Sequence, residues 1–447
     1  MTRDECARSS TGYKRLHWHN KAVVSQPLPT PETKSDRRFL QLLLIAIGAW
    51  GATYARFLIG PLQEAVRISL ELTDNRMALL QGMAMAIPMV VGSIPFGLAA
   101  DRFSRSRMLL LFAGLNLGAS LLSALATDIT LLFAARCLVG FSSSAILVGA
   151  YSLVADLYAP AERGRASMVI TMGEIGGSPV AFALGGTLLG MSSSMLGVEG
   201  WRWSLGWASA CLVPVLLLMF VLREPPRTER VVENPALRTV WPQLWRYRAV
   251  AIPLLLARAT VWIADGAVMV WGAPTLARDF HLSPERVGTL MGTVLFVSGL
   301  LGPLLGGPLV DFCQRRGGPR RVMLVLAALA LVSAPMALFA LAPNVTLAAI
   351  LLGTFLTLGF VIGTAGMALA TIAIPGEVRG FYLGITITAG SVFFVGLAPL
   401  MISGLSSLLG GEAAIGQSLS IICTAVSLLG AFVFAGTSRY FPRSTES

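Results

Sequence analysis

The most regular feature of the chain is a succession of long apolar segments separated by short polar ones. A helix needs about 20 apolar residues, at 1.5 Å of rise per residue, to cross the hydrocarbon core of a bilayer. Glycine and proline within the segments agree with this interpretation, because spanning helices tolerate them better than soluble helices do. The pattern predicts twelve membrane-spanning helices, at residues 40–61, 77–100, 108–127, 131–157, 166–190, 203–222, 250–275, 287–310, 321–342, 345–370, 380–404 and 414–436.

The basic residues between these segments are distributed asymmetrically. When the N-terminus is placed in the cytoplasm, 26 of the 34 Lys and Arg residues fall on the cytoplasmic side, 5 fall on the opposite side and 3 lie inside the segments. Because cytoplasmic loops carry an excess of Lys and Arg, both termini are predicted to be cytoplasmic. We therefore expect a multi-pass protein embedded in the lipid bilayer of the cell (inner) membrane.

An internal repeat divides the segments into two sets of six. The stretch from Thr73 to Asp101 aligns without gaps to the stretch from Ser283 to Asp311, at an offset of 210 residues. Parallel repeats that enclose a solute site near the bilayer midplane are a known plan of secondary transporters. The predicted fold is an all-α membrane protein of two parallel, pseudo-symmetric six-helix bundles. The predicted domains are a disordered cytoplasmic tail (1–38), a first bundle (39–222), a cytoplasmic linker (223–249), a second bundle (250–436) and a cytoplasmic C-terminal tail (437–447).

Composition excludes several other classes of protein. Charged residues make up 13% of the chain, whereas about 25% of a soluble domain is charged. The net charge of +11 arises from short clusters between apolar segments, so nucleic acid is not expected as a partner. The five cysteines are scattered and the three histidines lie outside the segments, which indicates no disulfide framework and no metal site. Since there is also no phosphate-binding loop and no nucleophile–base set, we expect neither an enzyme nor a cofactor.

The loop between the second and third segments carries the motif GLAADRFSRSR, from Gly97 to Arg107. It resembles the G-x-x-x-D-R-x-G-R-R signature of the major facilitator superfamily of membrane transporters, although Ser104 and Ser106 replace a glycine and a basic residue. A shorter copy in the second half comprises Gly307, Asp311, Arg315 and Arg316. With twelve segments and the repeat, the resemblance covers the whole chain outside the N-terminal tail.

The resemblance implies that the motif belongs to a cytoplasmic gate that holds the two halves together when the solute site faces outward. Asp101 would cap a helix N-terminus, and Arg102 would pair with Asp156. The residues assigned to this gate are Gly97, Asp101, Arg102, Arg105, Asp156, Glu162, Arg163, Gly307, Asp311, Arg315 and Arg379. The alternative is that these charges only cap helices and satisfy the positive-inside rule.

Two further stretches resemble the branch that contains spinster-like lipid transporters and organic-anion symporters. They are the segment from Arg136 to Ala166 and the sequence GWRW that ends at Trp203. The branch usually carries an aspartate in the first helix where this chain has Ala55, and spinster-like members carry a glutamate in the fourth helix where it has serine. Their proton-coupling scheme therefore does not transfer residue by residue.

Six charged residues lie inside the segments: Arg56, Arg136, Asp156, Glu174, Arg258 and Asp265. A charge at the centre of a spanning helix costs about 2.5–3.5 kcal/mol, so such residues normally face a partner or a watery cavity. The repeat offset takes Arg56 to position 266, next to Asp265. We therefore expect these two charges to face one polar crevice from opposing halves, where arginine suits a carboxylate or a phosphate.

A set of residues is accordingly assigned to the crevice. Substrate binding is assigned to Arg56, Asp265, Arg258, Arg136, Tyr54, Tyr151 and Trp271, and proton coupling to Glu174 and Asp265. Structural alternatives stay open: a fixed Arg56–Asp265 pair, a polar tie from Glu174 to a neighbouring helix, a tie from Arg136 to the first helix, and packing of the aromatic rings.

These features predict a secondary active transporter. It is expected to be a monomer that moves a small solute, an organic anion, by alternating access with proton coupling. One alternative is the efflux of amphipathic drugs or lysolipids. The other is a non-transporting sensor or scaffold that recruits a partner through the basic N-terminal tail.

Overall fold

The computed structural model describes residues 35–159, 162–196, 199–225, 237–374 and 376–440, and all regular secondary structure within them is helical. Eleven helical stretches within these ranges are long and apolar enough to cross a membrane. Most of the predicted tails, 1–38 and 437–447, falls outside the described residues. The helices of the bundles follow the apolar segments of the sequence, as expected from the hydrophobic pattern.

The described part of the first half forms nine α-helices. They are α1 (Ser35–Phe57), α2 (Gln63–Ser69), α3 (Asp74–Gln81), α4 (Met83–Arg102), α5 (Arg105–Ala124), α6 (Ile129–Leu157), α7 (Arg163–Leu196), α8 (Gly200–Ala210) and α9 (Leu212–Met219). A 3-10 turn, Gly60–Leu62, separates α1 from α2. The first five predicted spans correspond to α1, α3 with α4, α5, α6 and α7, and the sixth to α8 with α9.

A short linker helix precedes the second half. The remaining helices are α10 (Leu237–Arg246), which is the linker helix, α11 (Arg248–Asp279), α12 (Pro284–Met336), α13 (Val345–Ala373), α14 (Gly376–Gly390), α15 (Ala398–Leu409) and α16 (Ile415–Thr437). A π-helical segment, Ser391–Leu397, joins α14 to α15, so that together they form the eleventh span.

Helix α12 contains two of the predicted spans, 287–310 and 321–342. Gly318 interrupts it with φ 64° and ψ −168°, and Pro319 follows. A positive φ favours glycine because a Cβ would clash with the backbone. The eleven apolar stretches therefore accommodate all twelve predicted spans.

The most extensive described contacts between the two halves join α7 to α12, α4 to the π-helical segment and α3 to α15. Small residues permit the close approach: a Cβ at Gly186 would lie 2.6 Å from the Gly288 Cα, and one at Gly82 would lie 3.1 Å from the Gly396 carbonyl oxygen. Small residues at helix interfaces are typical of membrane proteins. We call the end that carries the α4–α5 loop the motif end. The Gly186–Gly288 contact lies near the other end, which we call the opposite end.

The buried apolar side chains are divided differently at the two ends. Near the opposite end, one cluster contains residues of both halves, such as Leu58 and Met291. Nearer the motif end, the described residues form one cluster within the first half, which includes Leu153, and another within the second half, which includes Leu326. The halves therefore share apolar clusters at the opposite end and where α4 meets the π-helical segment, and they have separate cores towards the motif end.

Replacing Gly186 with leucine is expected to move the halves apart at the opposite end. A Cβ at this position would meet the Gly288 Cα and the Pro284 carbonyl oxygen at 2.6 Å, and neither backbone atom can yield without a shift of α12. Spin labels at Ile68 and Arg286, one on each half, should therefore report a longer distance in the variant.

Gly118→Leu is the matched control, because nothing lies within 4 Å of a Cβ placed at Gly118. The control should leave the label distance as in the parent. An unchanged distance in Gly186→Leu would contradict the role assigned to this glycine contact.

Candidate substrate crevice and its two ends

Arg56 lies in the last turn of α1 and makes an ion pair within the first half. Its guanidinium donates hydrogen bonds to the Glu174 carboxylate on α7 (3.3 Å) and to the Thr53 hydroxyl (2.8 Å). Arg56 is 8% exposed, whereas the Glu174 side chain is 30% exposed. The pair neutralises both charges while leaving the carboxylate partly accessible.

Residues of both halves surround Arg56. A small cavity beside it is lined by Phe57, Gln81 and Met85 of the first half and by Gly266, Met269, Val270, Phe394 and Val395 of the second half. The Phe57 and Phe394 rings meet edge to face, with centroids 6.5 Å apart. Arg56 therefore lies at the boundary between the halves, among mostly apolar side chains.

Asp265 does not face Arg56, which differs from the sequence-based expectation. The repeat takes Arg56 to position 266, and Gly266 is the residue that lines the shared cavity. Successive residues of an α-helix differ in direction by about 100°, so the neighbouring Asp265 turns away from the boundary. It lines a separate cavity formed by second-half residues. The structure thus pairs Arg56 with Glu174 and forms no Arg56–Asp265 pair.

Arg136 ties α6 to the end of α1. It is 1% exposed, and its guanidinium donates to the carbonyl oxygens of Ala55 (3.3 Å) and Arg56 (2.5 Å) and to the Met85 sulfur (2.7 Å). The last carbonyls of a helix have no partner within the helix, and Arg136 supplies one. A tie from Arg136 to the first helix was one of the alternatives that the sequence left open. The tie fixes the last turn of α1, which carries Arg56.

Arg258 belongs to α11, and its side chain reaches α13. Its guanidinium donates to the Gly363 carbonyl oxygen (2.6 Å) and lies over the Trp262 ring, 4.8 Å from the centroid. It is 9% exposed, and its Nε has no partner among the described residues. The structure therefore does not bring Arg258 to Arg56.

The predicted crevice aromatics occupy different environments. Tyr54 and Trp271 are fully buried and donate to the carbonyl oxygens of Ala208 (2.8 Å) and Pro399 (3.0 Å). Tyr151 is 39% exposed, and its hydroxyl lies 3.3 Å from that of Thr171. Tyr54 and Trp271 therefore tie helices together, whereas Tyr151 is accessible.

A compact polar cluster occupies the motif end of the first half. Arg105 forms ion pairs with Asp156 and with Glu224 (3.1 Å), and it also donates to the Ser152 carbonyl oxygen (3.3 Å). The side chain of Arg102 is not among those described, and the described partner of Asp156 is Arg105. Sequence reasoning missed Glu224, which follows the sixth span and carries no motif.

Glu224 accepts hydrogen bonds at the start of α5. The Ser106 N–H (2.8 Å) and the hydroxyls of Ser104 (2.9 Å) and Ser106 (2.9 Å) donate to its carboxylate. Burial by itself would raise the pKa of Glu224, but these bonds and that from Arg105 outweigh burial and lower the pKa to about 2. A carboxylate is also favoured at a helix N-terminus.

The other residues assigned to the gate are not among the described members of this polar cluster. Arg163 donates to the carbonyl oxygens of Ala155 (2.7 Å) and Tyr158 (3.2 Å) at the end of α6. Glu162, Asp311 and Arg315 are exposed, and a Cβ at Gly307 would meet nothing within 4 Å. No side chain is described at Gly97, Asp101, Arg102 or Arg379. The gate assignment therefore stays a prediction.

Ion pairs join the two halves at the opposite end. Arg278, at the end of α11, donates two hydrogen bonds to the Asp74 carboxylate (2.8 and 2.9 Å) and one to Glu64 (2.9 Å). Arg67 contacts Glu64 (2.7 Å) and Glu412 of the second half (2.6 Å). We call these five residues the opposite-end clamp. In the sequence, Arg67 and Arg278 contributed only to the predicted topology, and neither a motif nor the repeat indicated their acidic partners.

The repeated helical halves, the ion pair at their boundary and the clamp at one end are typical of a membrane transporter. The family model of the Major Facilitator Superfamily matches residues 45–272, about half of the chain. The chain belongs to this family, which confirms the predicted family and, with the all-helical structure, the predicted fold. The family's members are membrane transporters for small solutes rather than enzymes.

The chain is similar to curated proteins of two kinds. An MFS-type efflux pump of Mycolicibacterium smegmatis (strain ATCC 700084 / mc(2)155) is 27% identical over 404 residues, which is 86% of this chain and 89% of that protein. Protein spinster homolog 1 is 26% identical over 310 residues in Xenopus laevis and over 315 residues in Homo sapiens. These matches cover 64% of this chain and 57% of each relative, so the chain spans little more than half of the spinster proteins.

Solved structures support the fold. A bacterial homologue of the human lysosomal transporter Spinster, in an inward-facing and unoccupied conformation, matches with a TM-score of 0.75 at 20% identity, over 91% of this chain and 98% of that chain. A D-xylose–proton symporter matches with a TM-score of 0.70 at 18% identity, over 89% and 97% of the two chains.

Replacing Arg278 with alanine is expected to open the opposite end more often. Asp74, whose side chain is 8% exposed, would lose its described cationic partner. A hydrogen bond to a charged group contributes about 1.5–3 kcal/mol. In a background without native cysteines, a cysteine placed at Ala65 should be alkylated faster in the variant. Arg286→Ala removes an exposed arginine nearby and should leave the rate unchanged, and equal rates in all three proteins would refute the clamp.

Replacing Glu224 with glutamine is expected to lower thermal stability at neutral pH. Because the folded-state pKa of Glu224 lies near 2, below that of an unfolded glutamate, its contribution is fully present above about pH 4.3. The contribution falls as the pH drops towards 2. The difference in Tm between parent and variant should therefore shrink across this range. A difference that is constant with pH would show that the carboxylate charge is not responsible.

Proposed function

We propose that this membrane transporter moves a small organic anion with an apolar body, by alternating access and with proton coupling. The observation that carries the proposal is the Arg56–Glu174 ion pair at the boundary between the halves. A guanidinium has the planar donor geometry that matches a carboxylate or a phosphate. The neighbouring Phe57, Met269 and Phe394 favour an apolar group attached to that anion.

Coupling follows from competition for one guanidinium. While Glu174 is ionised, its carboxylate occupies Arg56 at 3.3 Å. Protonation removes the negative charge of Glu174 and frees the arginine for the anion of the solute. Since an unpaired charge is costly within a membrane, the site favours either the internal pair or a proton together with an anion. One proton would then accompany each anionic group.

The arrangement of the ends supports alternating access. The clamp and the shared apolar cluster hold the halves together at the opposite end, whereas the described apolar clusters are separate towards the motif end. The excess of Lys and Arg supports a cytoplasmic motif end and cytoplasmic termini in an inner-membrane protein. On this orientation the present conformation faces inward. We further propose that the monomer is the transporting unit, because each chain contains both halves.

Efflux of amphipathic compounds, including lysolipids, is a second candidate. It is favoured by the relative named as an efflux pump, which matches 86% of this chain, and by the apolar side chains around Arg56. The two candidates differ in the direction of transport and in whether an anionic group is required. A competition panel of organic anions, neutral drugs and lysolipids distinguishes them.

Transport in proteoliposomes tests the roles of Arg56 and Glu174 separately. With an imposed proton gradient, the parent should accumulate a subset of labelled organic anions. Arg56→Ala should reduce uptake at least tenfold, because the anion loses its partner. Glu174→Gln should retain exchange of labelled for unlabelled anion at zero gradient but lose accumulation driven by the gradient.

Arg286→Ala is the control, since it removes an exposed arginine that does not line the cavity beside Arg56. Parent-like uptake by Arg56→Ala would exclude the anion site. Gradient-driven accumulation by Glu174→Gln would exclude this carboxylate as the proton carrier.

A further inference from the structure

A polar cavity lies inside the second half, apart from the boundary between the halves. It is lined by residues of α11, α12, α13 and α16, and its polar side chains are Thr260, Asp265, Ser333 and Ser427. Its volume is about 20 Å³, and about 10–15 Å³ measured in this way is enough for one water molecule. The cavity can therefore accept a single small ion or a water.

Asp265 has no described partner in this cavity. Its Oδ1 is inaccessible to solvent and makes no hydrogen bond, and no described residue forms an ion pair with the carboxylate. Gly359 leaves room for the Asp265 carboxylate, because a Cβ at position 359 would lie only 2.4 Å from Oδ1. A carboxylate in this position requires a neutralising partner, since an isolated charge in the membrane interior is strongly unfavourable.

Asp265 makes no described hydrogen bond or ion pair with its charged and titratable neighbours, although Arg258 acts on it electrostatically at longer range. Arg258 is seven residues away on the same helix, about 10.5 Å along the axis, and its guanidinium is directed to the Gly363 carbonyl oxygen (2.6 Å). The Cys423 thiol on α16 contacts the Ala264 carbonyl oxygen (3.8 Å). The carboxylate is thus available to a ligand from outside the chain.

Two of the three hydroxyl groups around the cavity are arranged as acceptors. Thr260 donates to the Ala257 carbonyl oxygen (2.8 Å), and Ser333 donates to that of Ala330 (2.8 Å). Because each hydroxyl proton is directed into its own helix, oxygen lone pairs remain for a cation. Hard cations prefer such oxygen ligands. One carboxylate balances one positive charge, which favours a monovalent cation over a divalent one.

We propose that this cavity is a sodium site, with Asp265 as the anionic ligand and with Thr260, Ser333 and Ser427 as neutral oxygen donors. The cavity lies between α11, α12, α13 and α16 of the second half, so a bound ion would stabilise the packing of these helices. Use of the ion in coupling rests on the proposed transport function, whereas binding itself does not. The site is separate from the Arg56–Glu174 pair.

Binding is measured on the purified full-length protein in detergent at fixed pH and ionic strength, with NaCl exchanged against KCl or choline chloride. Thermal unfolding should shift upward with sodium in a saturable manner, because a ligand that binds the folded state raises its stability. Asp265→Asn should abolish the sodium-dependent shift. Ser427→Ala, which keeps the carboxylate, should raise the half-saturating sodium concentration several-fold.

Asp279→Asn is the control, because it removes an exposed carboxylate from the end of the same helix. It should keep the sodium response, as should Arg56→Ala, even if the latter has lost anion transport. The proposal is overturned if the parent responds equally to sodium, potassium and choline. A stability that follows pH and not sodium would overturn it as well and would assign Asp265 to a proton.

Discussion

A charged side chain within a bilayer must find its partner inside the protein, because lipid offers none. In the described part of this chain, that constraint joins helices to one another. Arg56 links α1 to α7 through Glu174, and Arg136 links α6 to the last carbonyls of α1. The second contact supports the first, since it holds the turn from which Arg56 reaches the boundary between the halves. Neutralising one of these charged side chains would therefore change how the helices are held together.

The two ends of the molecule use charge differently. At the opposite end, Arg278 and Arg67 make their ion pairs across the halves, where the apolar core is also shared. At the motif end, Arg105 makes its described ion pairs with Asp156 and Glu224, which belong to the first half and to the residues directly after it. One end thus stabilises the association of the halves, and the other stabilises the first half itself. This division suits a protein whose halves move as units.

The hydrophobic pattern predicted most of the fold, because membrane spans are set by length and apolarity alone. It could not predict which helix face a residue occupies: Gly266 and Asp265 differ by one position and by about 100° of rotation, which decides which of them meets Arg56. Arg278 and Asp74 are 204 residues apart, and their pairing depends on how the folded halves pack. The charged residues of the candidate site were therefore found from the sequence. The tie from Arg136 to the first helix was among the alternatives, but the Arg56–Glu174 and Arg278–Asp74 pairs were not predicted.

The glycine contact between α7 and α12 lies near the opposite end, so a rocking motion of the proposed kind would have an off-centre fulcrum. The far face would then move on a lever arm of roughly 30 Å, the thickness of the hydrocarbon core, so that a turn of about 10° displaces it by about 5 Å. The backbones at the fulcrum would hardly change their separation. Slight adjustments around these two small residues would thus be amplified into a passage wide enough for a solute on the distant side.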